Sequence, residues 1–187
     1  ANLNGNNNFS GGVTVDAGTV NAGTDTAFGS GSLTVNDGTV NLGTSTIGNT
    51  VFFNGGTITG GTINLATAKT LTAKAGTLAS LLTGDGSLSK TDAGTLIISG
   101  DNTGFAGATT IAGGTVTLGG ATAFPTATST SVYSGALDIG VNNFSAGALT
   151  FVPSGTLAAI ASTGGASGQN TITFASTAGF ALGQALT

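Results

Sequence analysis

The chain has no cysteine, methionine, tryptophan or histidine, and its 187 residues also include no arginine and no glutamate. Without His or Cys, a serine or threonine has no ordinary base to activate it, so triad-type nucleophilic catalysis lacks its parts. The missing Cys excludes a disulfide framework but by itself assigns no compartment. Charge is equally scarce: seven acidic and three basic side chains leave a net charge of −4. Three lysines cannot neutralise a run of phosphates, so nucleic acid and anionic membrane are poor partners, and no nucleic-acid partner or direct membrane insertion is expected. Long hydrophobic runs are missing too. The longest are about five residues, far short of a bilayer span. No signal peptide is visible at Ala1, so a mature or excised segment is the natural reading.

What remains is apolar and small. Hydrophobic residues make up 39% of the chain against 5% charged, the reverse of a disordered composition. The 34 glycines are far above the usual level of about 7%, but they follow no three-residue period, so collagen is excluded. The length suits a single domain, 1–187, with a continuous core. A Thr/Asn/Gly-rich and nearly charge-free surface favours an extracellular or bacterial cell-surface location.

An internal period organises this material. The tripeptide Gly-Thr-(Val/Ile/Leu) starts at Gly18, Gly38, Gly56, Gly76, Gly94, Gly114 and Gly155, with Gly135-Ala136-Leu137 filling the gap. The spacing stays near 20 residues, the signature of a repeat architecture. Gly61-Thr62-Ile63 is an extra copy out of phase. Stacked on the anchor, Val20, Val40, Ile58, Leu78, Leu96, Val116, Leu137 and Leu157 form one apolar column. Five residues earlier stand Val15, Val35, Phe53, Ala73, Thr91, Ile111, Val132 and Val152, a second, mostly apolar column. A third, rich in Phe, runs through Phe9, Phe28, Ile47, Leu65, Leu82, Phe105, Phe124 and Phe144.

Between the first two columns lies a polar or small pair followed by Gly, as in VTV-DA-GTV. Period-two alternation on both sides of a glycine turn reads as strand, corner, strand. Thr19, Thr39, Thr57, Thr77, Thr95, Thr115 and Thr156 precede the buried anchors; by alternation they form an outward Thr ladder.

Three or four buried side chains per coil contribute roughly 1.5–3 kcal/mol each. Ordering a coil's backbone costs on the order of 20–40 kcal/mol. No coil folds alone, and stacking is required. The expected fold is therefore all-β, a parallel β-helix (β-solenoid) of about nine coils. Residues 121–134 and 161–170 lose the period and read as irregular loops or looser coils. The first fifteen and last sixteen residues carry no charge, so both ends look stackable.

The stretch 86–119, GSLSKTDAGTLIISGDNTGFAGATTIAGGTVTLG, resembles the autotransporter-associated β-strand repeat, also called the passenger-associated transport repeat. Leu88, Lys90, Gly94, Thr95, Leu96, Ile98, Ser99, Gly100, Asn102, Thr103, Phe105, Gly107, Thr110, Ile111, Gly114, Thr115 and Val116 fall on the family pattern. Asp92 stands where Gly is usual, and Gly104-Phe105 replaces a Thr-Tyr-like pair. Weaker copies run from Leu3 to Val20 and from Leu137 to Leu157. The resemblance implies a right-handed β-helix in a protein exported to a bacterial surface. It implies no ligand, since such passengers serve as stalks, adhesins and scaffolds alike.

The remaining chemistry is thin. Asp16, Asp37 and Asp92 recur near one corner, where Asp and Asn ordinarily bond local backbone. Paired-carboxylate hydrolysis needs two converging acids, and lyase chemistry on β-helices uses a basic partner for which arginine is missing. No Asp-x-Asp-x-Asp-Gly loop and no Gly-Gly-x-Gly-x-Asp repeat points to calcium. Ice binding needs a second Thr two residues beyond the ladder, and only Thr59 and Thr117 supply one. Lys69, Lys74 and Lys90 are expected on the surface, with Lys74 between Asn54 and Asp92 in the corner column.

The expectation is a non-enzymatic structural or adhesive surface protein with no cofactor. The alternatives are a subunit of a self-assembling extracellular fibre or matrix, joined end to end by stacked β-helices, and a carbohydrate-binding module. The expected partners are copies of itself, by end-to-end or lateral association, neighbouring solenoid repeats, or a host or cell-surface glycan.

Overall fold

Short runs such as VTV, LTV and VFF alternate apolar and outward residues, which suits a strand buried on one face only. In the computed structural model, which describes residues 1–124, 129–140, 142, 148–151 and 160–161, these runs become strands of a parallel β-solenoid. Every strand pairs in parallel with the corresponding strand of the next coil. Among the described residues the anchor face has nine strands, a second face eight, and a short third face three. The stack completes about seven turns, somewhat fewer than the roughly nine coils expected.

The anchor face holds Thr19–Ala22, Thr39–Asn41, Thr57–Thr59, Gly76–Leu78, Thr95–Ile98, Thr115–Leu118 and Ala136–Asp138, with Asn2–Leu3 and Ile160–Ala161 at its edges. The second face runs from Val13–Val15 through Leu33–Val35, Val51–Phe53, Thr70–Ala73, Ser87–Lys90, Thr109–Ile111 and Ser129–Val132 to Ala148–Phe151. The third consists of Thr46–Ile47, Thr62–Asn64 and Leu81–Thr83. Ser129–Val132 thus forms a regular strand inside a stretch whose sequence reads as irregular. The other such stretch, 161–170, lies outside the described residues apart from Ala161.

The core fills the tube between the faces. Val40, Ile58, Leu78, Leu96, Val116 and Leu137 are all buried, as are Phe28, Phe105 and Phe124. Three members of the expected columns differ, Val20, Phe9 and Thr91, the last replaced by Lys90 as described below. Val20 is only half-buried, because the level beneath it offers Ala1, whose carbonyl accepts from Asn21 N. Phe9 is exposed at 39%; residues 4–12 form no strand, and its ring lies over Gly29 at the rim. Leu157, Phe144 and Thr156 lie outside the described residues.

Register is where the structure departs most from the simple stack. Val20, Val40, Ile58 and Leu78 follow one another on the anchor face. Leu78 then faces Ile98, however, and Leu96 faces Gly76. From Leu96 the order continues to Val116, Leu137 and Ile160. The anchor column is therefore two columns offset by two residues. An even shift keeps every side chain on its own side of the sheet, so the repeat looks unbroken in sequence. On the third face, Ile47 faces Ile63 and Ile63 faces Leu82. The out-of-phase copy Gly61-Thr62-Ile63 is thus a strand of that face, and Leu65 is buried beside it.

Stacking at strand spacing leaves little room where coils turn. A Cβ on Gly107 would run into the carbonyl oxygen of Gly86 in the coil beneath, whereas one on Gly11 would meet nothing within 4 Å. Gly107→Ala is accordingly expected to lower the unfolding free energy by about 1–3 kcal/mol or more. Gly11→Ala should stay within about 0.5 kcal/mol of the parent. Denaturant titration of the two variants checks the contrast, and equal stabilities would contradict the close approach at Gly107.

Candidate functional site: a buried lysine at the corner and the outer ladders

At most corners five positions lead from the last inward residue of the second face to the anchor apolar, as from Val15 to Val20 or Ile111 to Val116. The corner glycine takes a positive φ, for example 73° at Gly18 and 125° at Gly38. The coil carrying Lys90 is built differently. Six positions separate Lys90 from Leu96, and Asp92, with φ of 57°, takes the left-handed conformation, which Asp tolerates better than most residues.

Lys90 itself is fully buried. It faces Ala73 on one side and Ile111 on the other, within an otherwise apolar column. Its Nζ donates to the carbonyl oxygens of Thr91 at 2.5 Å, Asp92 at 2.8 Å and Gly113 at 3.0 Å. An ammonium has three donors, and here each has an acceptor. A buried charge is tolerable only when so partnered. This corrects the expectation of a surface lysine and displaces Thr91, which is half-buried, from the core column. Counting five residues back from Leu96 lands on Thr91 because this corner is one residue longer. Alternation forward from buried Leu88 would have found Lys90.

Burial pushes the Lys90 amine below its ordinary value of 10.5, and the nearby negative charge of Asp92 offsets this in part. Below the folded-state pKa the amine is charged in both folded and unfolded chains, and the cost of burying the charge is constant. Between that pKa and 10.5 the unfolded chain holds the proton more strongly, so stability rises with pH. Above 10.5 the cost is gone.

Outside the corner, side chains bond from coil to coil. Asn36 Nδ2 donates to Asp16 Oδ1 at 2.6 Å, and Asn54 Nδ2 to Asn36 Oδ1 at 2.7 Å. Lys74 Nζ lies 3.3 Å from Asp92 Oδ2 with both side chains more than half exposed, so the pair contributes at most about 1 kcal/mol. The corner carboxylate of Asp16 therefore accepts from a neighbouring coil, where local backbone was the expected partner. Asp101 and Asp138 do bond local backbone, at Thr103 N and Gly140 N. Among the described residues no three His, Cys, Asp or Glu side chains gather as metal ligands do.

Two outward ladders dominate the flat faces. On the anchor face Thr19, Thr39, Thr57 and Thr77 stand in register, but Ile97 follows Thr77. Thr95 and Thr115 align separately, two residues to one side. The single Thr ladder expected from the sequence is thus split at the register step. The second face carries a longer ladder that the anchor alignment missed: Thr14, Thr34, Phe52, Thr72, Ser89, Thr110, Ser131 and Thr150. The signal was the middle residue of each strand, a hydroxyl in all but the third coil.

Asn102 secures the far side of the same coil. Its side chain is buried, accepting from Leu82 N at 2.7 Å and donating to Ala123 O at 2.7 Å. It thereby ties three successive coils together.

These features define a repeat solenoid whose chemistry lies in its corners and outer ladders. The passenger-associated-transport-repeat family model matches residues 2–24 and 88–118, so the chain carries that repeat in two segments, one containing Lys90 and Asn102. Repeat and fold together point to a passenger-type protein. No curated protein and no solved structure matches the chain.

Stability measured by denaturant unfolding should rise as alkaline pH approaches 10.5 in the parent protein. Lys90→Met should remove that rise, and an unchanged slope in the variant would assign it to another group.

Proposed function

We propose that this chain is a non-enzymatic β-solenoid stalk or scaffold segment of an exported passenger protein, located outside the cell or on its surface. The observation that carries this reading is the passenger-associated-transport repeat embedded in a stack of coils whose outer ladders are almost wholly hydroxyl and amide. Such a surface is soluble with little charge. Its rigidity comes from the backbone ladders, which suits a part that spans distance and presents what it carries. Absence of a conventional base and the scatter of the aspartates along the rod support a role without catalysis.

A second reading, a subunit of a fibre joined end to end, draws on one feature. Asn2–Leu3 and Val13–Val15 pair on one side only, with Leu3 and Val13 half-buried and Phe9 exposed beside them. Edges of this kind accept another strand. A preceding coil of a longer chain would fit that edge equally well. Carbohydrate binding has weaker support, because the exposed aromatics among the described residues, Phe9, Phe52 and Tyr133, are dispersed along the rod.

Negative-stain microscopy with polysaccharide hydrolysis assays and a glycan array tests these readings together. The stalk predicts monodisperse short rods at high concentration, no turnover and no specific glycan. Filaments growing with concentration would favour the fibre, and hydrolytic turnover would sink both readings.

A further inference from the structure

The strand Thr95–Ile98 has two ways to lie against Gly76–Leu78. Aligning the repeated tripeptides would set Gly94 beside Gly76, Thr95 beside Thr77 and Leu96 beside Leu78. The structure instead sets Leu96 beside Gly76, Ile97 beside Thr77 and Ile98 beside Leu78. The two registers differ by two residues, so both keep leucine and isoleucine inside. Hydrophobic burial alone does not choose between them.

The corner that feeds the strand makes the difference. On the second face Lys90 faces Ala73, 17 residues earlier, while on the anchor face Ile98 faces Leu78, 20 residues earlier. Three more residues therefore enter the corner at this level than in the coil beneath. Acceptors left unpaired in so wide a corner are costly. The Nζ of Lys90 is what meets them, through Thr91 O and Asp92 O, and it also holds Gly113 O from the following coil.

We propose that Lys90 is a register-determining residue: its buried ammonium is the fixed occupant of a carbonyl cage that exists only in the wide corner, and it thereby holds Thr95–Ile98 two residues away from the motif-aligned register. Sliding the strand back would draw two residues out of the corner and dismantle the cage around a buried charge. On the exit side Asn102 is fixed by its bonds to Leu82 N and Ala123 O.

The consequence reaches the surface. In the observed register Ile97, 38% exposed, interrupts the outward column of Thr19, Thr39, Thr57 and Thr77. In the other register Thr95 would continue it. One buried side chain therefore determines which residues the anchor face displays over its upper coils.

The absence of native cysteine makes the test clean. Thr77→Cys is combined with either Ile97→Cys or Thr95→Cys in the full chain. Each pair is treated with the short thiol crosslinker dibromobimane, and yields are read by mass spectrometry. With Lys90 present, the 77/97 pair should crosslink and the 77/95 pair should give little product. In Lys90→Met the 77/95 yield should rise severalfold as the 77/97 yield falls. A folded Lys90→Met protein that crosslinks only at 77/97 would overturn the proposal. Should that variant not fold, Lys90→Ala is refolded with propylammonium or with 1-propanol. Folding and 77/97 crosslinking restored by the amine alone are expected, and equal restoration by the alcohol would overturn the assignment.

Discussion

Everything in this molecule depends on the parallel backbone ladder between one coil and the next. A single coil buries too few apolar groups to offset the entropy of ordering its backbone. The ladder supplies partners for the backbone N–H and C=O groups of both faces and brings like positions into contact, so stability accumulates by nearest neighbours. It also imposes a strict condition, because neighbouring strands must lie in register at a fixed spacing. Any difference in residue number between coils has to be absorbed at the corners.

The corners show how that condition is met. Where coil lengths agree, a glycine with positive φ and a pair of small or polar residues suffice. Where they disagree, the excess gathers at one place and must be made polar-complete. The corner after Lys90 is that place: Asp92 takes the left-handed turn and the Lys90 ammonium satisfies the carbonyls around it. A neutral side chain of equal length would fill the space without supplying donors. Elsewhere the same economy is achieved with amides, as where Asn49 bonds the carbonyls of Gly29 and Gly31 across coils.

Much of the fold was legible in the sequence, because the solenoid repeats its environment and the sequence repeats in response. The period near 20, the inward columns and the strand–corner–strand unit all follow from like residues meeting like environments. The candidate site was legible only in part. Lys74 was placed beside Asp92 by column order, and the two do form an ion pair. A lone lysine such as Lys90 on a weakly charged chain reads as solvated, and local pattern does not reveal a cage whose third acceptor comes from Gly113 in the next coil. The second-face hydroxyl ladder is overshadowed in the sequence by the more regular Gly-Thr anchors.

The amino-acid sequence by itself determined the class of fold, the direction in which each strand residue points and the poverty of catalytic groups. These depend on composition and on period-two alternation, which are local. The tertiary structure alone decided the register between Gly76–Leu78 and Thr95–Ile98, and with it the split of the Thr ladder and the carbonyl partners of Lys90. Two registers an even number of residues apart bury the same faces, so alternation is blind to the choice. It is made by hydrogen bonds between residues in different coils, and those partners meet only once the coils have stacked.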